Sequence, residues 1–151
     1  MAITTKPKLQ IKKQGVFAIN TIIGPGSFVR GDIEAPGFAR IDGNVKGNLH
    51  AQGRVVIGES ARMKSSITGT TITIGGVVDG NILASERIIV LPSALIIGDI
   101  FTRRIEAGVG CIIHGKVRVC KSEDSWERAK SEFKDKRQAS LVSSSPYNQR
   151  Y

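Results

Sequence analysis

Few residues of this 151-residue chain have types and spacings that suggest chemistry. Arg30-Gly31-Asp32 has the composition of a cell-attachment tripeptide, which acts as a ligand only from an exposed, flexible loop. His50 and His114 are the only imidazoles, so histidine-based zinc binding or general-base chemistry would rest on that pair. Cys111 and Cys120 have the wrong spacing for a metal knuckle and are too few for a disulfide framework. Thr70, Thr71 and Thr73 present hydroxyls of the kind that line flat ice- or glycan-binding faces, in one patch only. No set of acids, bases and nucleophiles clusters in the sequence, so whatever positions these residues decides their meaning.

Composition bounds the answer. The length suits one domain with tails, and 40% hydrophobic residues suit a folded core. Aromatics make up only 5% while glycines number 17, which fits thin layers of Ile, Val and small residues better than a helical bundle. The apolar runs are far shorter than the ~18–20 residues of a bilayer-spanning helix. The stretch MAITTKPKLQIKKQGVFAIN does not read as a secretory signal, which makes the cytoplasm the expected compartment. The net charge of +9 is concentrated in an N-terminal arm holding Lys6, Lys8, Lys12 and Lys13 without an acid.

An internal repeat supplies the positioning element. Gly31-Asp32-Ile33 returns as Gly47-Asn48-Leu49, Gly80-Asn81-Ile82, Gly98-Asp99-Ile100 and Gly115-Lys116-Val117, with Ser65-Ser66-Ile67 in the remaining slot. Columns agree around that anchor: Val29, Val45, Met63, Val78, Ile96 and Ile113 two residues before it, and Ile33, Leu49, Ile67, Ile82, Ile100 and Val117 at its third position. A small column (Ser27, Gly43, Ala61, Gly76, Ala94, Cys111) lies before these and another (Ala35, Ala51, Gly69, Ala84, Thr102, Val119) after them. A further apolar column is expected to hold Ile23, Ile41, Ile57, Ile74, Val90 and Ile105. Columns two residues apart are the signature of strands with one buried face. A strand-forming repeat this short predicts a β-helix of about six rungs over residues 20–120, each rung with three strands and three corners, stacked ~4.8 Å apart.

The repeat reassigns most of the chemical candidates. Arg30-Gly31-Asp32 becomes one copy of a structural motif. His50 and His114 fall four rungs apart, about 19 Å at the stacking distance, too far to share a metal within one subunit. Cys111 belongs to the small inward column and is expected as a buried thiol.

The stretches 41-IDGNVKGNLHAQG-53, 55-VVIGESARMKSSITG-69, 72-ITIGGVVDGNILA-84 and 88-IIVLPSALIIGDIFT-102 resemble bactofilins, a bacterial family of polymer-forming cytoskeletal proteins. The resemblance covers roughly residues 20–120. It implies a single right-handed β-helix that assembles end to end into filaments without nucleotide or other cofactor and is not an enzyme. It also implies a scaffold for cell-shape and cell-wall machinery at the inner face of the cytoplasmic membrane. Family members often begin with a short Met-Phe-containing membrane-targeting peptide, whereas this chain begins Met1-Ala2-Ile3. Open β-helix ends independently favour self-association, because each leaves a rung of unpaired N–H and C=O groups. The expected homopolymer interface is Ile23, Val29 and Ile33 at one end and Ile105, Ile113 and Val117 at the other, unless the tails cover both ends.

The rival reading is a left-handed β-helix enzyme, a hexapeptide-repeat acyltransferase or a carbonic-anhydrase-like trimer. Ile23-Gly24-Pro25-Gly26-Ser27, Ile57-Gly58-Glu59-Ser60-Ala61 and Leu91-Pro92-Ser93-Ala94 look like its hexads, but they occur about once per turn and are not contiguous. Nucleic-acid binding has no motif and no aromatics interleaved with the lysines. The arm, residues 1–19, reads either as a solvated flexible segment or as a membrane-surface contact through Lys6, Lys8, Lys12, Lys13 and Phe17. Residues 121–151 read as a short amphipathic helix with Trp126, Ala129 and Phe133 on one stripe, docked within the chain, followed by a flexible SLVSSSPYNQRY tail.

Overall fold

The computed structural model describes residues 19–143, with side chains placed from 21 to 136. The repeat closes into a parallel β-solenoid of about six turns. Turn 1 comprises β1 (Ile19–Ile23), β2 (Phe28–Arg30) and β3 (Ile33–Ala35); turn 2 comprises β4 (Phe38–Ile41), β5 (Asn44–Lys46) and β6 (Leu49–Ala51). Turn 3 follows with β7 (Val55–Ile57), β8 (Arg62–Lys64) and the start of β9 (Ile67–Ile74). Strand β9 bends into turn 4, which continues with β10 (Val77–Asp79) and the start of β11 (Ile82–Val90). The rest of β11, β12 (Leu95–Ile97) and β13 (Ile100–Thr102) make turn 5; β14 (Ile105–Ala107), β15 (Ile112–His114) and β16 (Val117–Val119) make turn 6. Three flat faces result, each a stack of parallel strands.

The register confirms the columns read from sequence on the second and third faces. Val29, Val45, Met63, Val78, Ile96 and Ile113 stack in line on the second. Ile33, Leu49, Ile67, Ile82, Ile100 and Val117 stack on the third. On the first face one assignment is corrected. Val90 is followed by Ala107, while Ile105 pairs with Ile88. Ile105 instead completes a second inward column, Ala39, Val55, Ile72 and Ile88, that the repeat alignment had not separated.

The uneven repeat length has a simple cause at the corner between the first and second faces. Four residues make this corner in turns 1, 3, 5 and 6 (24–27, 58–61, 91–94, 108–111), but only two in turns 2 and 4 (42–43, 75–76). The long corners close on themselves, as in Ser27 N to Gly24 O at 3.1 Å and Ala61 N to Gly58 O at 3.0 Å. They also arch over the short ones, where Ser60 Oγ donates to Asp42 O and Ser93 Oγ to Gly75 O. Gly43 and Gly76 leave room for this, since a Cβ there would lie 2.5 and 2.4 Å from the carbonyls of Gly24 and Gly58. The hexad-like stretches are these long corners.

The C-terminal segment forms the expected helix, α1 (Glu123–Ser143), 21 residues long, which takes in the first four residues of the expected tail. Ser122 caps it, its Oγ accepting from Ser125 N at 3.2 Å, and Glu123 and Asp124 sit in the first turn where the helix dipole favours carboxylates. Trp126, Ala129 and Phe133 are buried against Leu83, Phe101 and Cys120. The helix therefore docks within the chain, on the side of the solenoid at the third face. Cys120 is the buried thiol, whereas Cys111 is only half-buried because its column ends with the last turn.

Candidate functional site

The ends of the solenoid are where its internal pattern stops. In the middle, Val45, Met63, Val78 and Ile96 are at most 2% exposed, and so are Leu49, Ile67, Ile82 and Ile100. The same columns open outward at each end. Val29 and Ile33 are half-buried in turn 1, while Ile105, Cys111 and Ile113 are half-buried in turn 6. Val117 is 42% exposed and Val119 41% exposed; Ile23 is the exception at 8%. The six residues expected at the ends are thus brought together in two groups of three, one on each terminal turn. Val119 belongs with the second group, and its place below Thr102 in the small column was the signal for it.

Backbone pairing is likewise one-sided at the ends. Among the described residues, strands β2 and β3 pair only with turn 2, and β15 and β16 only with turn 5. Two side-chain devices run along the corner before the third face and end there too. The first is a carboxylate and amide ladder. Asp32 Oδ1 accepts from Asn48 N at 3.0 Å, Asn81 Oδ1 from Asp99 N at 3.0 Å, and Asp99 Oδ1 from Lys116 N at 3.1 Å. This explains the alternation of Asp and Asn, both of which supply the acceptor oxygen. It also fixes Asp32 in a rigid stack between β2 and β3, unlike the loop an adhesion tripeptide needs.

The second device is glycine. Gly47, Gly80, Gly98 and Gly115 have φ between +144° and +153° or near it (Gly98 at +141°), and a Cβ would sit 2.0–2.1 Å from the carbonyl of the turn before. Gly31 has φ +128° but nothing within 4 Å of that position. Turn 1 therefore carries the clearance for a further rung, and no described residue fills it. Ser65, in the one slot lacking glycine, is buried with an Oγ that has no hydrogen-bond partner in the structure.

The remaining candidates stay apart. His50 lies on the third face in turn 2 and His114 on the second face in turn 6, both exposed. Among the described residues no three His, Cys, Asp or Glu side chains converge as metal ligands. A groove of about 430 Å³ lies beside α1, lined by His50, Thr68 and Leu83 of the solenoid and by helix residues including Glu127, Lys130, Ser131 and Lys134. Thr71 is buried with its hydroxyl 3.5 Å from Glu86, so the threonines form no open face. Lys6, Lys8, Lys12, Lys13 and Phe17 lie outside the described residues. No helix among the described residues is long and apolar enough to cross a membrane.

Comparison with known proteins agrees with this geometry. The family model described as bactofilin, polymer-forming cytoskeletal, matches residues 21–118. Bactofilin BacO of Myxococcus xanthus (strain DK1622) is 30% identical over 98 residues, covering 65% of this chain and 78% of that protein. Bactofilin BacP of the same organism is 26% identical over 98 residues, 65% of this chain but only 41% of the relative's length. No solved structure matches the chain.

Proposed function

This chain belongs to the bactofilin family of polymer-forming cytoskeletal proteins, and we propose that it is a structural, non-enzymatic subunit that assembles end to end through its terminal turns. Assembly needs no nucleotide in this reading, and the filament scaffolds cell-shape or cell-wall machinery at the inner membrane surface. The observation that carries the assembly step is the opening of the apolar columns at both ends, around Val29 and Ile33 and around Ile113 and Val117. Stacking a second rung there continues the β-ladder and buries those side chains, which lateral contact does not do.

The test is substitution at the ends. Val29→Arg or Val117→Arg is expected to leave soluble, short species with undiminished β-type circular dichroism, because an unpaired charge at the junction costs several kcal/mol while the central turns are untouched. Normal filaments from both variants in negative-stain micrographs would sink the end-to-end reading. Filaments that appear only with added ATP or GTP would remove nucleotide independence. The basic arm is proposed as an auxiliary membrane contact through Lys6, Lys8, Lys12, Lys13 and Phe17, and deletion of residues 1–13 should weaken binding to anionic vesicles in a salt-dependent way.

A further inference from the structure

The second face differs from the other two in the chemistry of its outward side chains. Arg30, Lys46 and Lys64 occupy the same outward position in three successive turns and pair in register. Like charges directly opposite across a parallel sheet destabilise it, and at the rung spacing of ~4.8 Å these three repel one another. Arg62 adds a fourth cation beside Lys64. Elsewhere several arginines are paired, Arg40 with Asp42 at 2.9 Å and Arg87 with Glu106 at 4.0 Å on the first face, Arg103 with Glu123 at 2.8 Å and Arg118 with Glu132 on the third, while Arg54 lies over the Phe38 ring. Among the described residues no ion pair holds Arg30, Lys46, Arg62 or Lys64.

The same face turns apolar toward turn 6. Its outward positions there are Val77, Leu95, Ile97 and Ile112, with Ile97 42% and Ile112 52% exposed, interrupted by Asp79 and His114 on either side of Ile97. The adjoining corner adds Leu91 at 37% and Val109 at 96%. Asp79 is the one acid among the outward residues of the face's strands, and it follows Lys64 in register without closing an ion pair with it. The third face, by contrast, has its apolar outward pair, Leu83 and Phe101, covered by α1.

We infer that the second face is a docking surface for an anionic lipid bilayer, with Arg30, Lys46, Arg62 and Lys64 meeting lipid phosphates and Ile97 and Ile112 entering the headgroup–acyl boundary. Arg30 lies over the Phe28 ring and Arg62 donates to the carbonyls of Glu59 and Ala61, but among the described residues none of the four cations has a carboxylate in an ion pair. Such cations beside exposed aliphatic side chains, on one flat face, fit a surface that is anionic outside and apolar just beneath. A nucleic acid would satisfy the cations and leave the aliphatics in water. One subunit offers a small contact; a filament repeats it along its length, so the inference leans on the assembly reading for avidity and not for the site itself.

The experiment is vesicle flotation of the full chain with phosphatidylglycerol–phosphatidylethanolamine vesicles, against phosphatidylcholine vesicles, with filaments checked on the same samples by electron microscopy. The parent chain is expected to float with the anionic vesicles only. Lys46→Glu/Lys64→Glu and Ile97→Ser/Ile112→Ser should each lose flotation, whereas Lys130→Glu/Lys134→Glu, the same charge change on α1, should keep it. Circular dichroism controls for folding, and all six positions are on outward strand sites or the helix surface. Equal loss in both charge-reversed variants, or flotation that vanishes only when residues 1–13 are deleted, would overturn the inference. So would retention on duplex DNA or polyglutamate that is insensitive to Ile97→Ser/Ile112→Ser, with no binding to vesicles. A parent chain that floats without forming filaments sinks the assembly proposal alone.

Discussion

At the scale of single residues, the glycine and Asx positions of the repeat have different reasons for existing. Asp32, Asn81 and Asp99 are there to accept a backbone N–H from the next turn, so either residue type serves. Glycine serves for two reasons at once: φ near +141° at Gly98 and a carbonyl, that of Gly80, 2.1 Å from where a Cβ would go. Gly98→Ala should therefore cost about 2–4 kcal/mol, strain and collision together, seen as a lower urea midpoint. Gly31→Ala meets only the strain within one chain and should cost clearly less in stability. A larger loss of stability at position 31 than at 98 would contradict this account. Ile74, wholly buried in a central column, gives a second test at this scale. Ile74→Asp should leave no folded β-solenoid by circular dichroism, since an unpaired buried carboxylate costs several kcal/mol.

At the scale of elements, the solenoid was legible in the sequence because period-two alternation and a stacking repeat impose themselves on every turn. The second and third faces could be aligned residue by residue from the Gly-Asx-Ile anchor, which sits between them. The first face lies farther from the anchor, beyond corners of variable length, and there Ile105 was set in the wrong column. An apolar residue at the expected distance outweighed Ala107, although Ala107 holds the register. The docking of α1 was half legible: the Trp126, Ala129, Phe133 stripe announced a buried face, but not its partner. That partner is two bulky outward residues, Leu83 and Phe101, in a column whose other members are Glu34, His50, Thr68 and Arg118. Two adjacent exceptions in an otherwise polar column were the available signal. Trp126 is the only tryptophan, so its emission reports on this contact. Phe101→Ala removes the ring that meets Phe133 edge-on at 6.2 Å and should cost about 3–4 kcal/mol of docking energy. The expected result is a red-shifted Trp126 emission with the β-type circular dichroism retained. An unshifted emission would mean that the ion pairs Arg103–Glu123, Arg118–Glu132 and Lys136–Asp99 hold the helix by themselves.

At the scale of the whole molecule, the two ends differ in what they offer a neighbour. The side-chain bonds made by Asp32 in turn 1 and by Asn81 and Asp99 in turns 4 and 5 end at Lys116 in turn 6, whose side chain has no acceptor oxygen. Head-to-tail stacking would set the next chain's Asp32 N–H above a lysine, so the junction would lack the bond that joins turns 1 and 2, 4 and 5, and 5 and 6. Junctions of like ends, N-terminal turn to N-terminal turn and C-terminal to C-terminal, do not set Asp32 N–H above Lys116. The two arrangements predict different behaviour for chains blocked at one end. With like-end junctions, Val29→Arg chains should stop at dimers joined through Ile113, Val117 and their neighbours, and Val117→Arg chains at dimers joined through Val29 and Ile33. Mixing the two should then produce nothing longer than either alone, as read by analytical ultracentrifugation. In a head-to-tail polymer each variant alone should stay monomeric, and the mixture should form heterodimers between the two intact ends. Heterodimers appearing only on mixing would overturn the like-end arrangement while leaving end-to-end assembly intact.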